Sequence, residues 1–128
     1  LGGAISLYAA TTRPGVYSKA IVESLPMLGQ HSAEGDGPAR AFLDSVTSWP
    51  ARVFVGMGGC EVRAGEPEHP RNAAYRAWAA DLGRRMREAG LGEDRARVVV
   101  EAGATHTEAA WAERLPGALE FLFAPATE

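Results

Sequence analysis

Cysteine is almost absent from this chain. Cys60 is the only one, so no internal disulfide can form. With three histidines beside that one thiol, a structural zinc site has too few ligands to be expected. No apolar run approaches the roughly 20 residues that cross a bilayer. An excess of positive charge is also missing. The formal net charge is -3, which leaves no electrostatic footprint for nucleic acid and no polybasic membrane patch. Neither a repeat nor a low-complexity tract stands out. Glycine is abundant, but it is spread through turns rather than clustered, which argues against disorder. What remains is a composition of 46% hydrophobic and 23% charged residues, suited to one soluble globular core. The first residues lack the basic-then-apolar pattern of a signal peptide. The chain opens with Leu1 rather than Met, as expected of a chain separated from something upstream.

Helical and strand-like segments alternate. Gly3 to Thr12 spaces Ala4, Leu7, Tyr8 and Ala10 as a helix does, and Arg13-Pro14-Gly15 stops it. Lys19 to Glu23 reads as a short buried strand, and Met27 to Gly37 as a loop. Pro38 to Val46 is a short helix with proline in its first turn. Arg52 to Val55 is a second strand, ended by Gly56-Met57-Gly58-Gly59. After a polar loop from Gly65 to Pro70, Asn72 to Ala89 forms the longest helix. Its expected apolar face is Ala73, Ala77, Ala80, Leu82 and Met86, and Gly90 is its C-cap. Arg97 to Val100 is a third strand. Thr107 to Phe123 is a last helix, with Ala110, Trp111, Leu115, Leu119, Leu122 and Phe123 toward the core and a kink or break at Pro116. This order predicts an α/β fold: a parallel three-stranded sheet with flanking helices. The first strand would be an exposed edge, which suits half of a larger sheet better than a complete fold.

In parallel sheets, chemistry gathers in loops beyond the C-terminal strand ends. Three loops qualify. The loop after the third strand carries His106 just before a helix, where a general base can reach substrate from a rigid scaffold. The plainer alternative is a polar residue at a helix start. The loop after the second strand carries Glu61, which could orient an imidazole, or be one more solvated carboxylate. Glu66 and Glu68 lie close by in sequence and compete for that role. The loop after the first strand, from Ser24 to Met27, could line a pocket but reads as a simple turn. An acid after one strand and a histidine after the next follow the Ser, acid, His chain order of α/β-hydrolases. His31 and His69 read as surface residues. Cys60 lacks the glycines of a nucleophile elbow and reads as a small loop residue. Trp111, about one and a half turns past His106, is expected to pack beneath the candidate loop, with substrate contact a lesser role.

The stretch Gly103-Ala104-Thr105-His106-Thr107-Glu108, continuing through Trp111 and Leu115-Pro116 to Phe123, resembles the closing segment of the putative esterase family. That α/β-hydrolase family includes esterase D-like enzymes, enterochelin esterases and mycolyltransferases. Val53 to Gly56 with Glu61, then Asn72 and a helix ending at Gly90, is similar to the segment before it. Leu1 to Ala10, then Pro14, Val16 and Tyr17, resembles the helix and strand that follow the nucleophile. The resemblance covers essentially the whole chain and implies the C-terminal half of one hydrolase domain over residues 1–128. It implies His106 as general base and Glu61 as acid. The family elbow is Gly-x-Ser-x-Gly, of which Leu1-Gly2 would supply only the last two positions. The nucleophilic serine is therefore absent, expected immediately before Leu1, and the Leu1 backbone N–H becomes an oxyanion-hole donor. Neither Ser6, inside a helix, nor Ser24, without elbow glycines, replaces it. The implied reaction is hydrolysis of a small-molecule carboxylic ester, needing no metal or organic cofactor, with the missing N-terminal half as partner and the isolated chain inactive. Two rivals stay open: a non-catalytic α/β binding module that lost its serine, and an interaction fragment that pairs through its sheet edge.

Overall fold

A computed structural model describes residues 2–25 and 38–125. Leu1 and the loop expected from Met27 to Gly37, with His31, lie outside the described residues. The element order is α1 (Gly2–Thr12), β1 (Lys19–Glu23), α2 (Pro38–Ser45), β2 (Arg52–Gly58), α3 (Pro70–Glu88), β3 (Ala96–Glu101) and α4 (Glu108–Phe123). The strands form one sheet in the order β1-β2-β3, both pairings parallel. The fold is the α/β architecture expected, and β1 is an edge of the described sheet.

Alternation along the strands sorts side chains onto two faces. Ala20, Val22, Val53 and Val55 face α1 and α3, where they bury Leu7, Ala10, Leu82 and Met86 together with Leu43 of α2. Ile21, Phe54 and Val99 face the other way and pack against Ala118, Phe121 and Leu122 of α4. Each fully buried Val, Leu, Met or Phe among them contributes about 1.5–3 kcal/mol. A salt bridge from Arg85 of α3 to Asp44 draws α2 onto the first face.

The second strand is longer than its sequence suggests. It runs through Gly56 and Met57 to Gly58, pairing these three residues with Val99, Val100 and Glu101. Glycine ends a strand where its conformational freedom is spent on a turn. Here Gly56 is extended, and a methyl group on it would run into the Glu23 carboxylate, so the missing side chain makes room for a charged one. The long helix starts two residues early. Pro70 takes its first turn, and His69, expected as a surface residue, caps it by accepting from the Arg71 N–H. Gly90 ends it as expected, at φ 85° with its N–H on the Arg87 carbonyl.

Two helix faces differ from the expectation. In α3 the buried residues are Asn72, Ala79, Leu82, Gly83 and Met86, whereas Ala73, Ala77 and Ala80 are exposed. An alanine methyl adds little to the apolar drive, so the larger Leu82 and Met86 set the rotation of the helix. In α4 the buried residues are Ala110, Arg114, Ala118, Phe121 and Leu122. Leu115, Leu119 and Phe123 form an exposed stripe. Tyr8 of α1 is likewise exposed, resting against Phe42. Pro116 neither kinks nor splits α4, which is continuous. Pro116 and Ala112 both lie on the exposed side, where solvent reaches the carbonyl that proline cannot bond. The far end of α4 is fixed by Arg52, whose guanidinium donates to the carbonyls of Phe121 (3.0 Å) and Leu122 (3.2 Å) and to those of Ala124 and Pro125. A cation there also suits the helix dipole.

Candidate active site

The C-terminal ends of the three strands converge on one group of polar side chains. Past Gly58 the chain turns sharply, and the Glu61 side chain folds back so that its Oε1 accepts from the Gly58 N–H at 2.6 Å. The turn is laced to the loop after β3: Gly59 N–H bonds the Glu101 carbonyl at 2.8 Å and Cys60 N–H bonds the Ala104 carbonyl at 2.9 Å. From the other side, α3 braces it. Asn72, wholly buried, accepts from Val62 N–H and donates to the carbonyls of Arg63 and Glu66, while Arg76 donates to Gly59 and Pro67. From the sequence, Asn72 is expected only as the start of the helix, without this role. An amide side chain with both donors and acceptors, in the first turn after a long polar loop, is the signal for such a brace.

His106 enters from the β3–α4 loop. Gly103 takes a positive φ of 78°, and Thr107 caps α4 by accepting from the Ala110 N–H. His106 Nδ1 lies 2.7 Å from Glu61 Oε2. The Glu61 side chain is fully buried, whereas that of His106 is 45% exposed. A carboxylate only accepts, so Nδ1 carries the proton, and Nε2 presents a lone pair. Among the described residues Nε2 has no partner. Glu66 and Glu68 are exposed, and the carboxylate that meets the imidazole is Glu61.

Two further residues complete the group, and sequence reading treated one of them as a turn. Ser24, just past β1, is 2% exposed. Its Oγ donates to Glu61 Oε1 at 2.7 Å and accepts from Trp111 Nε1 at 3.0 Å. The Trp111 ring stands edge-on to the His106 ring, centroids 5.1 Å apart. Trp111 does pack beneath the candidate loop, and it also hydrogen bonds within it. Tyr75 is near enough for burial, then the Glu61 charge, to push its phenol above the ordinary range, with Arg71 opposing.

A part-buried ionic cluster joins the ends of the outer strands. Arg114 of α4 donates to Glu23 at 2.8 Å and to Glu101 at 2.9 Å, tying the ends of β1 and β3 across Gly56. Burial works against its charge, but the two carboxylates outweigh that and hold its pKa above the ordinary arginine value. The other sequence candidates do not reach the imidazole. Ser6 lies within α1, and Cys60 is buried with its thiol unpaired to any disulfide. Leu1 lies outside the described residues. Among the described residues, no three His, Cys, Asp or Glu side chains gather as a metal site requires.

The site therefore holds an oriented imidazole with one open nitrogen, backed by a buried carboxylate, at the C-terminal edge of a parallel sheet. Comparison with curated proteins finds no match. The sequence profile of the family described as putative esterase matches residues 1–122, nearly the full chain. This chain belongs to the putative esterase family of hydrolases.

Proposed function

We propose that this chain carries the base and the acid of a serine-type carboxylic-ester hydrolase, as the C-terminal portion of one α/β-hydrolase domain. The observation that carries the reading is the 2.7 Å contact between His106 Nδ1 and Glu61 Oε2, with Nε2 left open. In the reaction, a serine hydroxyl supplied by a segment ahead of Leu1 attacks the ester carbonyl. His106 Nε2 takes its proton and passes it to the leaving alcohol. Glu61 holds the imidazole in the required tautomer and offsets the charge of the imidazolium. Water, activated by the same nitrogen, then releases the acyl group and restores the serine. The Leu1 N–H is proposed as one oxyanion donor.

An external nucleophile is supported by what surrounds Nε2. Among the described residues no hydroxyl or thiol reaches it. A missing half-domain is supported by surface character: β1 is an edge strand, and Ile5, Tyr8, Val16, Tyr17, Leu115, Leu119 and Phe123 are exposed large apolar residues. The test is hydrolysis of a p-nitrophenyl ester by two proteins. The 128 residues alone are expected to show no turnover. Joined to an upstream segment bearing the serine, they are expected to turn over and to lose about 10²- to 10⁴-fold of that rate on His106→Ala. Activity that survives His106→Ala would sink the assignment, and strong His106-dependent activity of the 128 residues alone would sink the external serine.

A further inference from the structure

We propose that Ser24 is a positioning residue, which sets the orientation of Glu61 and through it the tautomer of His106. This deepens the esterase reading and rests on it for the roles of Glu61 and His106. The first observation is backbone geometry. Ser24 has φ 48°, the only positive φ among the described residues other than glycine. A side chain in that region is strained in a way that glycine is not. The position is nonetheless fixed at both ends, because the Ser24 N–H bonds the Gly56 carbonyl at 2.9 Å and extends the β1–β2 pairing by one residue.

The second observation is what the strained backbone delivers. Its Oγ is held between a group that only accepts and a group that only donates: the Glu61 carboxylate at 2.7 Å and the Trp111 indole N–H at 3.0 Å. The direction of both bonds is therefore forced, and the single hydroxyl proton points at Glu61 Oε1. Gly58 N–H holds the same oxygen from another side. With Oε1 pinned twice, the carboxylate cannot turn about its last torsion, and Oε2 stays aimed at His106 Nδ1. The ring closes through space, since Trp111 abuts the imidazole edge-on. Ser24 touches neither His106 nor the open Nε2, so its effect on the base passes through Glu61 and Trp111.

A turn-forming or merely space-filling serine would leave the imidazole indifferent to its hydroxyl. The experiment reads the imidazole directly, in the 128-residue chain, from two-bond ¹H–¹⁵N correlations of labelled histidine with the rings neutral. His106 is assigned by its disappearance in His106→Ala. In the unaltered chain the Nδ1–H tautomer is expected to dominate. Ser24→Gly relieves the backbone strain but removes the hydroxyl, and Ser24→Ala removes the hydroxyl alone. Both are expected to lose that dominance in favour of the Nε2–H form. Ser24→Asn tolerates the positive φ and offers both a donor and an acceptor, so it is expected to restore the Nδ1–H form. A His106 tautomer unchanged in both Ser24→Gly and Ser24→Ala would overturn the proposal, as would loss of the Nδ1–H form in the Asn variant equal to that in Gly. This readout needs no nucleophile and no turnover. If ester hydrolysis proves independent of His106 while the tautomer still follows Ser24, the esterase reading fails and the positioning role stands.

Discussion

Replacing Arg114 with alanine tests the structure most severely. The guanidinium is 4% exposed and bonds Glu23 through Nη2 at 2.8 Å and Nε at 3.1 Å, and Glu101 through Nη1 at 2.9 Å. Intact, such a cluster adds little net stability, since desolvation offsets the attraction. Broken, it leaves Glu23, only 18% exposed, charged and without the guanidinium that links it to Glu101. Removing one partner of a buried pair costs about 3–5 kcal/mol. Glu101 is 37% exposed and can recover solvent, so the lower end applies, about 3 kcal/mol. For a domain of this length that corresponds to a fall in Tm of roughly 10 °C. Urea unfolding followed by tryptophan fluorescence measures it, and a companion Glu23→Gln/Arg114→Met variant isolates the cause. With the buried charge and its partner both gone, the double variant should be more stable than Arg114→Met alone. A cost below about 1 kcal/mol for Arg114→Ala, or a double variant less stable than Arg114→Met alone, would refute the reasoning that losing the guanidinium strands the Glu23 charge.

Met86, with no exposed surface in the core under α3, should cost about 2–5 kcal/mol when cut to alanine, lowering the urea midpoint at unchanged slope; a shift under about 1 kcal/mol would mean the core collapses around it. Asp81 offers a pH test. Burial resists its ionisation, but hydrogen bonds from Arg85 and Arg84 outweigh this and lower its pKa below the ordinary 3.8. A lowered carboxylate pKa stabilises the fold above the unfolded value, and that stability is lost as pH falls through the folded one. Asp81→Asn should therefore melt lower near pH 7, by up to about 1 kcal/mol for so exposed a pair, and match the unaltered chain in acid well below pH 3.8. A difference that persisted in acid would point away from the ion pairs.

The sequence made the alternation of helices and strands legible because strand residues such as Arg52 to Val55 are short and apolar and are bounded by turn residues. The meeting of Glu61 and His106 was legible because both lie a few residues past a strand end, where a parallel sheet exposes its loops. Ser24 was not, since a left-handed backbone at a serine leaves no pattern in the residues around it. Arg114 was hidden for a different reason. On a helix an isolated arginine reads as solvated, and its partner Glu23 lies 91 residues away. The α4 face was misjudged because the helix carries two apolar stripes. Periodicity counts both, but only the one reaching Phe54 and Ile21 meets the sheet.

The lacing between the two loops bears on entropy. Gly59 bonds Glu101 at the end of β3 and Cys60 bonds Ala104 in the loop after it, so the Glu61 and His106 loops belong to one hydrogen-bonded unit. On the proposed reading, the rotational freedom of the imidazole is given up once, when the chain folds, and not again each time an ester arrives. A substrate meeting such a site loses mostly its own freedom, which leaves more of its binding energy for the reacting bond.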